Sequence, residues 1–520
     1  MELRDLKRIR LVVSVGVMVL SGFLFADLGN LIPPQLTAVV VSFQLIPALL
    51  KTLRITGLWV AGLVVILLLT LLFGRVYCST LCPLGTFQDF FISAARRIAR
   101  RTHRRHWYSF SRPQFGIHYL LLLVTTGLAA GGVFFLLDLL EPFSSFGRMV
   151  ANLFRPLLAG ANNVLASLFG LFHFYGLSRF PIHGLSAEVI AGTLLFFGIV
   201  GSLAYTRGRI FCNLLCPAGA LLGLVARASL FRIVIDRSTC TDCGLCEKVC
   251  KAKCIDSNSK AIAFAACVSC FNCFDACPTA GLKYESPLNR GHVKGIATVD
   301  SGRRNVLKAA AIPLVLAAGG MSDSTAVGPG LSRSKGPVSP PGSVSVTRFT
   351  GLCTACHLCV SVCPTQVLAP TFLEYGVSGV FQPRMDYRIN YCTYDCVLCT
   401  TLCPTGAILP LTQGEKKEVQ IGKVQFIKDD CIVVSRKKDC GACAEHCPTK
   451  AVTMVPYEGK LMIPQTKDEI CVGCGACEHA CPTIPQKAIY VEANPVHQVA
   501  KKPEIKKAEP SVAPAGDFPF

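Results

Sequence analysis

The stretch Cys240-Thr241-Asp242-Cys243-Gly244-Leu245-Cys246-Glu247-Lys248-Val249-Cys250 sets three cysteines at intervals of three and a fourth four residues on. A C-x2-C-x2-C loop can wrap the irons of a [4Fe–4S] cube with its backbone amides turned toward the sulfides. A remote cysteine then supplies the fourth thiolate, and where two such loops face each other that ligand serves the neighbouring cluster. The spacing returns at once in Cys267, Cys270, Cys273 and Cys277. These two sets are therefore expected to exchange their fourth cysteines.

Four further sets lie downstream. They are Cys353, Cys356, Cys359, Cys363; then Cys392, Cys396, Cys399, Cys403, which opens with three intervening residues; then Cys431, Cys440, Cys443, Cys447, which opens with eight; and Cys471, Cys474, Cys477, Cys481. Cys-Pro-Thr recurs at Cys277, Cys363, Cys403, Cys447 and Cys481, and short β-rich stretches such as Ala451–Val455 follow most copies. Structural zinc uses C-x2-C pairs, but the appended x2-C-x3-C-Pro favours clusters. Disulfides would need an oxidising compartment and would leave the spacing without a purpose. The reading is six [4Fe–4S] clusters on 24 cysteines. Cys250 is followed by Lys251 rather than proline, and Cys254 lies four residues beyond it, so Cys250 is the favoured ligand and Cys254 the spare thiol.

The rest of the chain has a different character. It has 520 residues, 29 cysteines, a formal net charge of +20 and 16 % charged residues, with a mean hydropathy of +0.48. That length suggests roughly three to four domains, and the hydropathy excludes a purely soluble ferredoxin. Apolar stretches near 11–29, 57–74, 115–137 and 187–205 each approach the length that a ~30 Å hydrocarbon layer requires. The stretch 36–50 is shorter and contains Pro47, which suggests a re-entrant or interfacial piece. The charge is concentrated between spans, in Arg96, Arg97, Arg100, Arg101, Arg104, Arg105 and Arg112. This reads as a positive-inside loop rather than a nucleic-acid site. It puts the N-terminus, the middle loop and everything from 206 to the first two cysteine sets in the cytoplasm.

The membrane part carries its own repeat. Gly74-Arg75-Val76-Tyr77-Cys78, with Cys82-Pro83 and Gly85, returns as Gly208-Arg209-Ile210-Phe211-Cys212, with Cys216-Pro217 and Gly219. Cysteines at i and i+4 share a helical face, and the following proline forces a break or a new helix start. Cys78, Cys82, Cys212 and Cys216 are thus a candidate redox or metal site, against the alternative of inert buried thiols in a structural turn. His118, Asp138, Glu141, His173, His183 and Glu188 are candidate quinone or proton groups. No catalytic nucleophile, dinucleotide loop or P-loop is evident.

Residues 1–235 are expected to form a four-helix membrane domain, 236–285 a two-cluster domain, 286–347 a linker, 348–494 a four-cluster domain and 495–520 a flexible tail. The fold class is a transmembrane α-helical bundle followed by α+β ferredoxin-like domains. Within the linker, Arg303-Arg304-Asn305-Val306-Leu307-Lys308 precedes the apolar run Ala309–Ala318. That pattern resembles a twin-arginine export signal, and export would put the last four sets in the periplasm.

With these motifs in place, residues 1–285 resemble the NapH-type membrane quinol dehydrogenase subunit of periplasmic nitrate reduction. Residues 301–494 are similar to its NapG/MauM-type four-cluster partner. The resemblance implies a bacterial inner-membrane protein that takes electrons from the quinone pool. It would pass them to a periplasmic reductase or cytochrome. It also implies a nested ligand exchange in the four-set domain, third set with sixth and fourth with fifth. Related C-x3-C-P proteins that assist copper enzymes offer the alternative of a maturation or redox-regulatory factor.

Overall fold

The computed structural model describes residues 3–53, 58–102, 108–173, 175–182, 186–286 and 336–502. The twin-arginine segment at Arg303–Ala318, His183, Arg104, Arg105 and the tail from 503 lie outside them.

Among the described residues, twelve α-helices build the first half. They are α1 (Leu3–Ala26), α2 (Pro34–Ser42), α3 (Leu45–Thr52), α4 (Leu58–Phe73), α5 (Tyr77–Thr80) and α6 (Pro83–Arg101), then α7 (Phe115–Ala130), α8 (Phe135–Leu140), α9 (Pro142–Met149), α10 (Arg155–Leu171), α11 (Ala187–Arg207) and α12 (Pro217–Ala226). Two of the four expected spans, in α1 and α11, are long and apolar enough to cross a membrane. At 1.5 Å per residue these helices are about 36 and 32 Å long. The other two, α4 and α7, are apolar helices of 16 residues. Each stops at a glycine turn, Gly74 with φ +77° and Gly132 with φ +83°. The stretch read as re-entrant is α2 and α3, bent by 99° at their junction. Part of the arginine-rich "loop" is helical, because Arg96–Arg101 form the end of α6.

The cysteine-rich parts are small loops, single-turn helices and ribbons. In the first, β1 (Arg232–Ile235) pairs with β4 (Leu282–Glu285), and β2 (Ile255–Asp256) pairs with β3 (Ala261–Ile262), both antiparallel. In the second, β5 (Leu368–Pro370) pairs with β6 (Pro383–Met385), β7 (Val419–Phe426) with β10 (Ile489–Val499), and β8 (Val452–Pro456) with β9 (Met462–Thr466). Both expected edges of this domain move outward. Val338 and Gly342 already accept backbone hydrogen bonds from Met385 and Leu409, and β10 runs past residue 495 to Val499. Strand pairing absorbs these polar flanks, although their composition reads as linker and tail.

The two cysteine-rich modules meet opposite ends of the same helices. Near the start of α1, Lys7 pairs with Asp275 of the first module. Near its end, Phe25 packs at Gly147, where an added Cβ would also meet the Cys356 carbonyl of the second module. Near the start of α11, Gly192 faces the Phe381 ring, and just beyond its end Arg209 N–H donates to the Lys251 carbonyl at 2.9 Å. Gly208, at φ +72°, makes that last approach possible, since a Cβ there would lie 2.4 Å from the Lys251 oxygen.

Candidate iron–sulfur centres

The first module brings its cysteines together in the expected exchange. Cys240, Cys243, Cys246 and Cys277 line one cavity. Cys267, Cys270, Cys273, Cys250 and Cys254 line a second. Cys250 Sγ lies 3.6 Å from Cys254 Sγ. The Cys254 thiol, with backbone amides nearby, holds the Cys250 thiol below its ordinary range despite burial. Hydrogen bonding to Cys250 and Cys267 raises Cys254 in turn.

The second module corrects the nested order. Cys353, Cys356 and Cys359 share their surroundings with Cys403 of the next set, not with Cys481. Cys392, Cys396 and Cys399 sit with Cys363. Cys431, Cys440 and Cys443 sit with Cys481, and Cys471, Cys474 and Cys477 with Cys447. Third therefore exchanges with fourth and fifth with sixth, as two successive double-cluster units. They abut where Cys392 N–H donates to the Cys474 carbonyl at 2.9 Å. The physical reason is local. Each Cys-Pro turn ends the helix that carries its own third cysteine, and the ribbon after it folds that fourth thiol onto the adjacent loop.

Each quartet of thiols suits a cluster chemically. Burial pushes the Cys246 thiol up to about 11 and those of Cys443 and Cys474 to about 12. Bare, these groups stay protonated at neutral pH, and iron binding must displace the protons. Among the described residues no three His, Cys, Asp or Glu side chains converge on a point as ligands of a single metal ion would. A [4Fe–4S] cube needs four thiolates around its corners instead.

The repeat in the membrane part folds as its prolines require. Cys82 and Cys216 are extended N-cap residues, and Pro83 and Pro217 open α6 and α12. All four cysteines of the repeat are buried. Behind them lies a charge cluster that the sequence did not reveal. The Asp89 carboxylate of α6 pairs with Arg209 at 2.8 Å, with Arg10 at 3.2 Å, and with Lys251 of the first cysteine module. Burial alone would raise the Asp89 carboxyl, but Arg209, Lys251 and Arg10 hold it well below the usual carboxylate range.

The candidate quinone and proton groups scatter. His118 Nε2 lies 3.0 Å from the Cys216 carbonyl oxygen. Asp138 Oδ2 accepts from Gln382 Nε2 of the second module at 3.3 Å. Glu141 caps α9 by accepting from Phe143 N–H at 3.0 Å and from Ser144 N–H. His173 and Glu188 are exposed. The sequence missed His357, which is buried between Asn152 Oδ1 at 3.1 Å and the Phe381 carbonyl at 2.7 Å. Burial drives its imidazole down to about 3, so it is neutral at physiological pH.

Comparison with known proteins agrees with this chemistry. A 4Fe-4S binding domain model matches residues 55–102 and 189–237, a 4Fe-4S dicluster domain model matches 352–407 and 438–484, and another 4Fe-4S binding domain model matches 237–253. The chain is 26 % identical over 276 residues to the ferredoxin-type protein NapH of Haemophilus influenzae, covering 51 % of this chain and 79 % of NapH. The chain is thus similar to the ferredoxin-type proteins NapH and MauM and carries matches to 4Fe-4S domain models. To the methylamine utilization ferredoxin-type protein MauM of Methylophilus methylotrophus it is 29 % identical over 148 residues, 26 % of this chain and 62 % of MauM. To YccM of Escherichia coli strain K12 the chain is 26 % identical over 219 residues, and it spans about half of that relative's length, 53 %. No solved structure matches it.

Proposed function

We propose that this chain is a transmembrane electron conduit of the bacterial inner membrane. Quinol loses two electrons and two protons at the membrane domain, and a periplasmic reductase or cytochrome receives the electrons. Six bound [4Fe–4S] clusters would supply the one-electron steps. The 24 cysteines of the six sets hold them, with the ligand exchanges described above.

The observation that carries this reading is the placement of the two modules at opposite ends of α1 and α11. Helices of about 36 and 32 Å match a hydrocarbon layer of about 30 Å. The arginine-rich end of α6 lies beside the first module, where Arg96 Nη2 donates to the Val249 carbonyl at 2.9 Å. The positive-inside bias assigns that end to the cytoplasm and the four-cluster module to the periplasm. The first test is protease access in spheroplasts, whose outer membrane has been opened. Cleavage within 348–500 without lysis is expected, while 236–285 stays protected until the inner membrane is lysed. Protection of both modules in intact spheroplasts would remove the transmembrane path.

A further inference from the structure

Each of the two membrane segments matched by the 4Fe-4S binding domain model contains only two cysteines, Cys78 and Cys82 in one and Cys212 and Cys216 in the other. Neither segment alone can give a cluster its four thiolates. The fold brings the halves together. Cys216 lies within electrostatic reach of Cys212, Cys82 and Cys78, and Cys82 within reach of Cys212 and Cys78. All four are at most 5 % exposed.

The two halves are related by exchange. Arg75 Nη2 donates to the Cys212 carbonyl at 2.9 Å and stands 3.8 Å from Cys78 Sγ. Arg209 Nη1 donates to the Cys78 carbonyl at 2.9 Å and stands 3.9 Å from Cys212 Sγ. A Cβ on Gly85 would lie 2.3 Å from the Cys78 carbonyl and 2.7 Å from Arg209 Nη1. A Cβ on Gly219 would meet the Cys212 carbonyl at 2.2 Å and Arg75 Nη2 at 2.8 Å. Each repeat's arginine therefore serves the other repeat's first cysteine, and each repeat's glycine leaves room for it. Gly219 N–H also donates to Cys216 Sγ at 3.3 Å, a contact that favours a thiolate there.

The charge balance points the same way. Arg10, Arg75, Arg209 and Lys251 are all buried; Arg10, Arg209 and Lys251 share the Asp89 carboxylate, while Arg75 donates to the Asn213 side-chain oxygen and to the Ala265 and Cys212 carbonyls and forms no ion pair among the described residues. Unbalanced buried cations are costly, so this pocket is built to receive negative charge. Four thiolates around an oxidised [4Fe–4S] core bring roughly two net negative charges. Ser79 Oγ donates to the Ser269 carbonyl at 3.3 Å, which sets the site directly against the loop of the second cysteine set.

We propose that Cys78, Cys82, Cys212 and Cys216 together ligate one further [4Fe–4S] cluster, shared between the two repeats. It lies between the two cysteine-rich modules and is a seventh site, distinct from the six ferredoxin sets. Its existence does not depend on quinol being the donor.

The test compares the full chain with Cys78→Ser, Cys212→Ser and the double variant, each purified anaerobically. Iron, acid-labile sulfide, zinc and copper are measured per chain, with Mössbauer and EPR spectra. The unmodified chain should hold about 28 irons, of which the ferredoxin sets account for about 24. Each single variant should lose about four irons and four sulfides, and the double variant no more than either single one. The EPR signals of the other clusters should persist, which reports that the variants fold. If both variants misfold, the iron count of the unmodified chain decides, and about 24 irons overturns the proposal. Equal iron in all four proteins overturns it, as do losses that add in the double variant. Loss of two irons, or of stoichiometric zinc or copper with iron unchanged, overturns the [4Fe–4S] assignment. Cys243→Ser scores the six-set reading separately, because it should remove about four irons whatever happens at the repeats.

Discussion

Asp89→Asn tests how the first module is held against the membrane helices. The substitution keeps the side chain's shape and removes its charge, leaving Arg10, Arg209 and Lys251 facing one another out of water. Breaking a buried ion pair from one side costs about 3–5 kcal/mol. Lys251 belongs to the first module and the other two cations to the membrane part, so the cost falls on their contact. At 1.4 kcal/mol per tenfold, the open population should rise about 140- to 3,700-fold. The reporters are the amides that cross this contact: Arg209 N–H to the Lys251 carbonyl at 2.9 Å and Tyr108 N–H to the Lys248 carbonyl at 3.2 Å. Their hydrogen exchange should accelerate by that factor, while amides of β7 and β10 in the distant module keep their rates. A change of less than tenfold would refute the idea that this carboxylate, rather than apolar packing, secures the contact. The sign of the pH dependence follows. Asp89 is held below its unfolded value of about 3.9, so its contribution is complete above that pH and is lost as pH falls toward the folded value. Wild-type exchange at these amides should therefore be insensitive to this group from about pH 5 upward.

Further outcomes are expected. Cys403→Ser should remove the cluster of Cys353, Cys356 and Cys359, and Cys363→Ser that of Cys392, Cys396 and Cys399; Mössbauer spectra that instead tie Cys481 to the third set would restore the nested order. Cys250→Ser should cost about four irons per chain while Cys254→Ser costs none, and the reverse pattern in iron analysis would exchange their roles. Gly208→Ala should lower thermal stability by about 1–3 kcal/mol for the left-handed backbone alone, with more from the approach to the Lys251 carbonyl; an unchanged melting curve would show that the turn relaxes freely.

The features legible in the sequence are those that short-range geometry controls. Cysteine spacing, the proline starts of α6 and α12, and the bend between α2 and α3 all depend on a few adjacent residues. The exchange in the first module was readable because only two sets compete. With four sets the spacing fits more than one pairing, and the choice of fourth for third depends on how the ribbons fold back. The Asp89 cluster was hidden because its partners lie 79, 120 and 162 residues away. Glu141 looked like a proton group, yet its position before Pro142 and Phe143 makes it a helix cap. Helix α10 was missed because Asn162, Asn163 and an initial Arg155-Pro156 dilute its apolar run.

The central claim is that electrons from quinol reach these clusters. The direct measurement is EPR on anaerobic membranes containing the full chain, before and after addition of a menaquinol analogue, with dithionite as the reference for full reduction. The account predicts that quinol alone brings up reduced-cluster signals, and that reoxidised quinone clears them. Clusters that dithionite reduces but quinol leaves wholly oxidised would contradict it.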